Sequence, residues 1–165
     1  MSQRVLLVSV NRVRSPLPAY PLGLDHVRAA LSPPHTVRIL DLLADGEEAL
    51  PAAVRDLEPQ LVGVSIRNID DNDAAERQSF VADAVRLVAA LRGLSAAPVV
   101  LGGAGYSLFP RELLARSGAD FGVVGDGEQL RALLDALEAG GDGAGLPGVL
   151  RRDALARGEV APEPR

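Results

Sequence analysis

The sequence predicts an α/β fold in which helices cover both faces of a parallel sheet. Short apolar segments rich in β-branched residues alternate five times with helical patterns, and segments that are apolar on both faces are typical of buried parallel strands. The strand-like segments are residues 5–10, 37–42, 61–66, 99–101 and 121–124. Because crossovers between parallel strands are right-handed, we expect a Rossmann-like three-layer sandwich with five strands in the flavodoxin-like order 2-1-3-4-5.

A helical pattern follows each predicted strand. The third helix is preceded by Asp73 and Glu76, which have the spacing of a capping box with Asp in the place of Ser or Thr. The fourth begins with Pro110 in its first turn and ends at Gly118, which suits the positional preferences of proline and glycine. The apolar stripes of the other helices are Leu24, Val27 and Leu31; Leu50, Val54 and Leu57; Phe80, Val81, Ala84, Val85, Val88 and Leu91; and Leu130, Leu133, Leu134 and Leu137.

The composition excludes several classes of site. The chain has 165 residues, a net charge of -5 and 3% aromatic residues, which fits one domain and argues against a nucleic-acid partner. All 17 basic residues are arginine, so there is no lysine for a P-loop or a Schiff base. There is no cysteine for a disulfide or an iron–sulfur cluster. The sequence has neither an apolar run of about 20 residues nor a signal peptide, so we expect a cytoplasmic protein that does not bind a membrane.

The predicted strand order places a ligand site at the carboxyl ends of the strands. The order reverses between strands 1 and 3, so the loops after strands 1, 3, 4 and 5 meet at one crevice. The first of these loops, residues 11–21, is stiffened by three prolines and is expected to form a wall of the crevice. In the loop after strand 3, Arg67 either projects into the crevice or forms an ion pair with Asp70 or Asp71.

Two glycine-rich loops follow strands 4 and 5. Residues 102–107 contain three glycines in four positions, which lets the backbone come close to a ligand, although the spacing is not that of a dinucleotide-binding motif. Residues 125–128 either cap the fifth helix through Asp126 or form a polar rim for the same ligand. Together the loops predict a slot that admits a flat heterocycle and its ribose. His26 and His35 are expected to be structural or solvated, since no catalytic triad or metal-ligand spacing surrounds them.

Four segments resemble the N-terminal cobalamin-binding domain of cobalamin-dependent radical S-adenosylmethionine enzymes of the methyltransferase type. They are Pro21–Leu24, Val62–Asp70, Val100–Pro110 and Gly118–Glu128, and the resemblance runs from about Arg4 to Leu150. It implies that residues 1–140 form the cobalamin-binding domain and that residues 141–165 are a linker or tail towards a radical S-adenosylmethionine domain.

The resemblance also implies how the cofactor binds. The corrin ring is expected at the carboxyl edge of the sheet, with the nucleotide tail detached from cobalt and inserted along the loops after strands 4 and 5. The expected cofactor-binding residues are Leu22, Gly23, Ser65, Arg67, Asn68, Gly102, Gly103, Gly105, Tyr106, Gly125, Gly127 and Glu128.

No residue is expected to ligate cobalt directly. The Asp-x-His-x-x-Gly motif of other cobalamin proteins is absent, because Asp25 and His26 lack its spacing and residues 11–14 follow strand 1. In members with a similar Ser-Ile-Arg-Asn segment, such as the tryptophan 2-methyltransferase group, an arginine lies near the lower face of cobalt. Arg67 matches that arginine by position.

The radical chemistry of the resembled family needs a Cys-x-x-x-Cys-x-x-Cys motif, which this sequence lacks. The 4Fe-4S cluster and S-adenosylmethionine are therefore expected on another domain, in the same longer chain or on a separate partner. Two alternatives use the same fold: a flavin-binding electron carrier and a docking domain without catalytic function. The few aromatic residues, Tyr20 and Tyr106 among them, speak against a flavin site with stacking rings.

Overall fold

A computed structural model describes residues 2–11, 20–67 and 80–158 of the chain, with the backbone alone at residues 80 and 81. Several predicted features lie outside these residues. They are most of the first loop, Asn68, the pair Asp70 and Asp71, and the capping box at Asp73 and Glu76.

Within the described residues, six strands form one sheet in the order β2-β1-β3-β4-β5-β6. The strands are β1 Arg4–Ser9, β2 Thr36–Asp41, β3 Leu61–Ser65, β4 Val99–Gly102, β5 Phe121–Val123 and β6 Val149–Arg151. The helices are α1 Leu22–Leu31, α2 Leu42–Asp45, α3 Leu50–Leu57, α4 Phe80–Leu94, α5 Pro110–Ser117, α6 Gly127–Glu138 and α7 Arg152–Ala156, with short 3-10 turns at Glu47–Ala49 and Tyr106–Leu108. Strands β1 to β5 are parallel, which confirms the predicted Rossmann-like α/β class.

The predicted number of five strands is wrong, because β6 adds a sixth at the β5 edge. It runs antiparallel, with Phe121 opposite Arg151 and Val123 opposite Val149. Only three residues of β6 pair, and they follow a segment rich in glycine, so they carry little signal in the sequence. The strand β6 and the helix α7 both lie in the range 141–165.

Both faces of the sheet are buried because the strand side chains alternate between two cores. From β1, Leu6 and Val8 join the core beneath α3, α4 and α5, whereas Val5 and Leu7 join the core beneath α1 and α6. All four are at most 1% exposed, which explains why β1 is apolar at every position from 5 to 8. Among the described helices, none is long and apolar enough to cross a membrane.

The helices α1 and α6 pack closely at a glycine. A Cβ atom at Gly127 would lie 2.7 Å from the Cβ of Ala30 and 3.0 Å from the Cα of Val27. Asp126 starts α6 with a capping box: its side chain accepts a hydrogen bond from the N–H of Glu128 at 2.9 Å, and the Gln129 side chain in turn accepts one from the N–H of Asp126 at 2.8 Å. Arg131 reinforces the pair by donating to the carbonyl oxygen of Ala30 at 3.0 Å. The start of α6 is thereby fixed against α1.

Candidate cofactor-binding site

A cavity of about 730 Å³ opens at the carboxyl end of the sheet, between the sheet and the helices α1 and α6. Its size lies within the usual range of roughly 300–1,000 Å³ for small-molecule sites. The exits of β1, β3, β4 and β5 all contribute to its lining, as do both helices. This is the crevice that the reversal of strand order predicts.

Small side chains in one row across the sheet leave room for the cavity. Ser9, Ser65 and Gly102 are neighbours in the strand register and end β1, β3 and β4. All three line the cavity. A Cβ atom at Gly102 would meet nothing closer than the Val123 carbonyl oxygen at 3.7 Å, so space is open above it. The row below contains Gly63, where the Leu7 side chain takes up part of the room.

Most of the predicted cofactor-binding residues line this cavity. Those that line it are Leu22, Gly23, Ser65, Arg67, Gly102, Gly103, Gly125 and Gly127. Gly105, Tyr106 and Glu128 are absent from the lining, and Asn68 lies outside the described residues. The cofactor-binding role of the whole set stays a prediction.

Tyr106 lies on the opposite face of the sheet. Its side chain is 0% exposed in the core beneath α3, α4 and α5, and a Cβ atom at Gly122 would overlap its hydroxyl group. The hydroxyl has no hydrogen-bond partner among the described residues, and burial raises the pKa of Tyr106 above its ordinary value. Tyr106 is therefore a neutral residue that fills the core.

Arg67 brings a positive charge to the mouth of the cavity. It follows β3 directly, its side chain is exposed, and it lines the cavity. Its guanidinium is always charged and has no lone pair to offer a metal. The predicted alternative partners Asp70 and Asp71 lie outside the described residues.

The two histidines have different surroundings. His35 is 3% exposed, and its Nδ1 accepts a hydrogen bond from the backbone N–H of Gln3 at 3.2 Å, which gives it a structural role. His26 is exposed on α1 and lines the cavity. The sequence pattern did not indicate His26 as a site residue. The position of His26 one helical turn after Leu22, a predicted site residue, could have indicated that it lines the cavity.

Polar residues at strand exits complete the site. Asn11 is buried after β1 and lines the cavity, and Tyr20 lines it from the segment before α1. A hydrogen bond to the Asp25 carboxylate raises the pKa of Tyr20, so its phenol stays neutral at physiological pH. Asp126 also lines the cavity while its carboxylate caps α6. The walls thus combine small side chains, backbone and a few polar groups.

Comparisons with known proteins agree with this geometry. Residues 8–134 match the family model of the B12 binding domain. Over 155 residues the chain is 36% identical to tryptophan 2-C-methyltransferase of Streptomyces laurentii, in an alignment that covers 88% of this chain and 25% of that protein. The chain therefore spans about a quarter of the length of this relative.

Solved structures of the radical S-adenosylmethionine methyltransferase TsrM from Kitasatospora setae also match. The form with tryptophan and a S-adenosylmethionine analogue gives a TM-score of 0.82 at 37% identity, covering 91% of this chain and 28% of that one. The form with cobalamin and a [4Fe-4S] cluster gives 0.80 at 36% identity, covering 92% and 27%. The cobalamin-dependent radical enzyme OxsB, at 18% identity and a TM-score of 0.66, shares the fold. With its family model matched over most of its length and its cavity at the strand exits, the chain belongs to the B12-binding domain family.

Proposed function

We propose that this domain holds cobalamin with its nucleotide base detached from cobalt and no histidine in its place, as the methyl carrier of a radical S-adenosylmethionine methyltransferase. The observation that carries the proposal is the cavity at the strand exits, within a chain of the B12-binding domain family. Cobalamin supplies a cobalt centre that can accept and donate a methyl group. The residues described here bind and orient that cofactor.

The walls of the cavity fit the detached nucleotide tail. Ser9, Ser65 and Gly102 form a floor of small residues, and the open space above Gly102 suits a flat heterocycle lying between the sheet and the helices. The backbone at Gly125 and Gly127 borders the same space and would meet the ribose and phosphate.

Arg67 would hold the lower face of cobalt without ligating it. Its position at the β3 exit supports this role, because it stands at the mouth of the cavity rather than at its floor. A guanidinium there would disfavour the more oxidised metal, because a positive charge beside the metal raises the energy of the state with the higher charge. His26 belongs to the helical wall of the slot, and we propose that it does not reach cobalt.

The catalytic partner is a radical S-adenosylmethionine domain, in the same longer chain or on a separate protein. The matched region of TsrM, 27% of a chain whose structure holds cobalamin and a [4Fe-4S] cluster, supports this arrangement. We also propose that residues 1–140 bind the cofactor and that residues 141–165 lead towards the catalytic domain. Within that range, β6 and α7 would fix the connection to the sheet.

Gel filtration of the purified chain with hydroxocobalamin or methylcobalamin tests the proposal. We expect corrin absorbance to co-elute with micromolar protein, in a spectrum typical of the detached base. Flavin mononucleotide is the comparison ligand. If it co-elutes and neither corrin does, the electron-carrier alternative is correct and the proposed function is wrong.

The cobalt environment is tested by variants at the two candidate side chains. Arg67→Ala admits water and Arg67→His offers a ligand, so both are expected to shift the visible spectrum towards six-coordination and to lower the cobalt(II)/cobalt(I) potential. His26→Ala is the matched control, and its spectrum is expected to equal that of the unchanged chain. A shift in His26→Ala together with none at Arg67 would instead make His26 the group beneath cobalt.

A further inference from the structure

We propose that the loop after β4, Gly103–Tyr106, positions Arg67 by clamping the peptide that precedes it. This inference rests on the proposed function, since it concerns how Arg67 is presented to the cofactor. Gly103, Gly105 and Tyr106 are then positioning residues, because they act on the cofactor only through the placement of Arg67.

The clamp acts on Ile66. The backbone N–H of Ile66 donates to the carbonyl oxygen of Gly102 at 2.8 Å, which extends the pairing of β3 and β4 by one residue. The carbonyl oxygen of Ile66 then accepts two hydrogen bonds, from the N–H of Gly105 at 2.9 Å and from that of Tyr106 at 3.3 Å. Its side chain is 0% exposed. Because the Ile66 carbonyl and the Arg67 nitrogen share one planar peptide, fixing the first fixes the second.

Gly103 allows the loop to approach Ile66 closely because it has no side chain. Its φ is +100°, and a Cβ atom there would lie 2.6 Å from the Ile66 carbonyl oxygen and 2.9 Å from the Ser65 Oγ. Both the backbone angle and the space therefore require glycine. The turn is secured behind Gly103, whose carbonyl accepts hydrogen bonds from the N–H and the hydroxyl of Ser107, each at 3.1 Å.

Tyr106 anchors the loop from the other face of the sheet. Its ring is fully buried above Gly122, so the loop crosses from the cavity side at Gly103 to the opposite core at Tyr106. The side chain of Arg67 is exposed, so its orientation depends on where its backbone is held. The fixed peptide thus limits the volume in which the guanidinium moves, which is the preorganisation that a cofactor site needs.

Native-state hydrogen exchange on the cofactor-free chain tests the clamp without any substitution. We expect the amides of Gly105 and Tyr106 to exchange at least roughly 100-fold more slowly than that of the exposed Ala104. Equal exchange at the three positions would overturn the inference. This result is independent of cobalamin binding, so it is separate from a failure of the proposed function.

The substitution Gly103→Ala tests the connection to Arg67. We expect the spectrum of bound cobalamin to shift in the same direction as in Arg67→Ala, and affinity to fall roughly tenfold. In the double variant with Arg67→Ala, the Gly103 substitution should add no further spectral change, because it acts through Arg67. Gly118→Ala is the matched control: its φ is +76° with open space around it, so it strains the backbone away from the site.

The control is expected to lower thermal stability and to leave the spectrum unchanged. A normal spectrum in Gly103→Ala, or a further shift in the double variant, would overturn the inference. Should Gly103→Ala fail to fold, the exchange rates decide whether the clamp exists.

Discussion

The two faces of the sheet are built from the same strands and are filled differently. Beneath α3, α4 and α5 the side chains fill the space up to the carboxyl end, where Tyr106 covers Gly122. Beneath α1 and α6 the core is equally buried at Val5 and Leu61, both 0% exposed, but it gives way to the cavity towards the carboxyl ends of the strands, where Leu7, Gly63 and Val100 also line it. The opening is therefore local to the carboxyl-terminal half of the strands, and the remainder of that face provides stability.

A matched pair of glycines on neighbouring strands offers the strongest test of this difference. Gly122→Ala overlaps the Tyr106 ring on the filled face, so we expect a loss of about 3 kcal/mol in the free energy of unfolding. Gly102→Ala meets only the Val123 carbonyl at 3.7 Å on the open face, so we expect a change within about 1 kcal/mol. Cobalamin affinity should nevertheless fall roughly tenfold in Gly102→Ala. Urea unfolding and absorbance titration measure both, and equal stability losses would contradict the comparison.

A substitution in the helical wall of the open face is expected to change the free energy of unfolding by a smaller amount. In Gly127→Ala the new methyl group meets Ala30 and Val27, so α1 and α6 must separate, at a cost of about 2 kcal/mol. The cavity between them should change shape and bind cobalamin less tightly. The control is Gly93→Ala on α4, where nothing lies within 4 Å, and it is expected to stabilise the protein by about 1 kcal/mol. A stable Gly127→Ala would show that the two helices are not in firm contact.

The substitution Tyr106→Phe tests whether the stability of the filled face depends on the Tyr106 hydroxyl group. The substitution removes a buried hydroxyl that has no partner among the described residues, so we expect stability to be unchanged or to rise by up to about 1 kcal/mol. Cobalamin binding should not change, since the hydroxyl lies on the face away from the cavity. A clear loss of stability, measured by urea unfolding, would reveal a hydrogen-bond partner for the phenol.

The smallest expected effect is a loss of stability at low pH through Asp153, at the β6 edge of the sheet. Hydrogen bonds from Arg151 and Arg157 lower the pKa of Asp153 to about 2, and its side chain is half exposed. A depressed pKa in the folded state means that the contribution is present above the unfolded value and is lost as pH falls through the folded one. Asp153→Asn should therefore unfold at nearly the same urea concentration as the unchanged chain near pH 2, and slightly earlier at pH 6. Identical pH profiles would contradict this.

The sequence was sufficient to predict the layers of the fold and the position of the cavity. Unbroken apolar segments such as residues 5–8 require two buried faces, and the reversal of strand order then determines where a cavity forms. The sequence was not sufficient to predict β6, because a strand of three residues forms by pairing with β5 and has too few residues for a pattern of its own.

Single glycines were the harder part of the site. A glycine at a strand exit or in a loop signals close approach but does not say to what: Gly103 approaches Ile66 and Gly127 approaches α1, whereas Gly102 faces open space. Tyr106 shows the same limit, since residues 102–104 of its loop line the cavity while its own ring enters the opposite core. Which face a loop residue takes depends on tertiary packing that periodicity does not encode.

The antiparallel strand β6 has a mechanical consequence for the cofactor site. Without it, β5 would be an edge strand held by a single ladder to β4, and the Gly125–Gly127 turn at its end would open whenever that ladder frayed. With it, Phe121 and Gly122 pair with β4 on one side and with β6 on the other, and the N–H of Val124 donates to the Gly148 carbonyl at 2.8 Å, so the β6 side holds the chain up to the residue before Gly125. Local opening at this rim of the cavity then requires two ladders to break together, which slows the release of anything seated there.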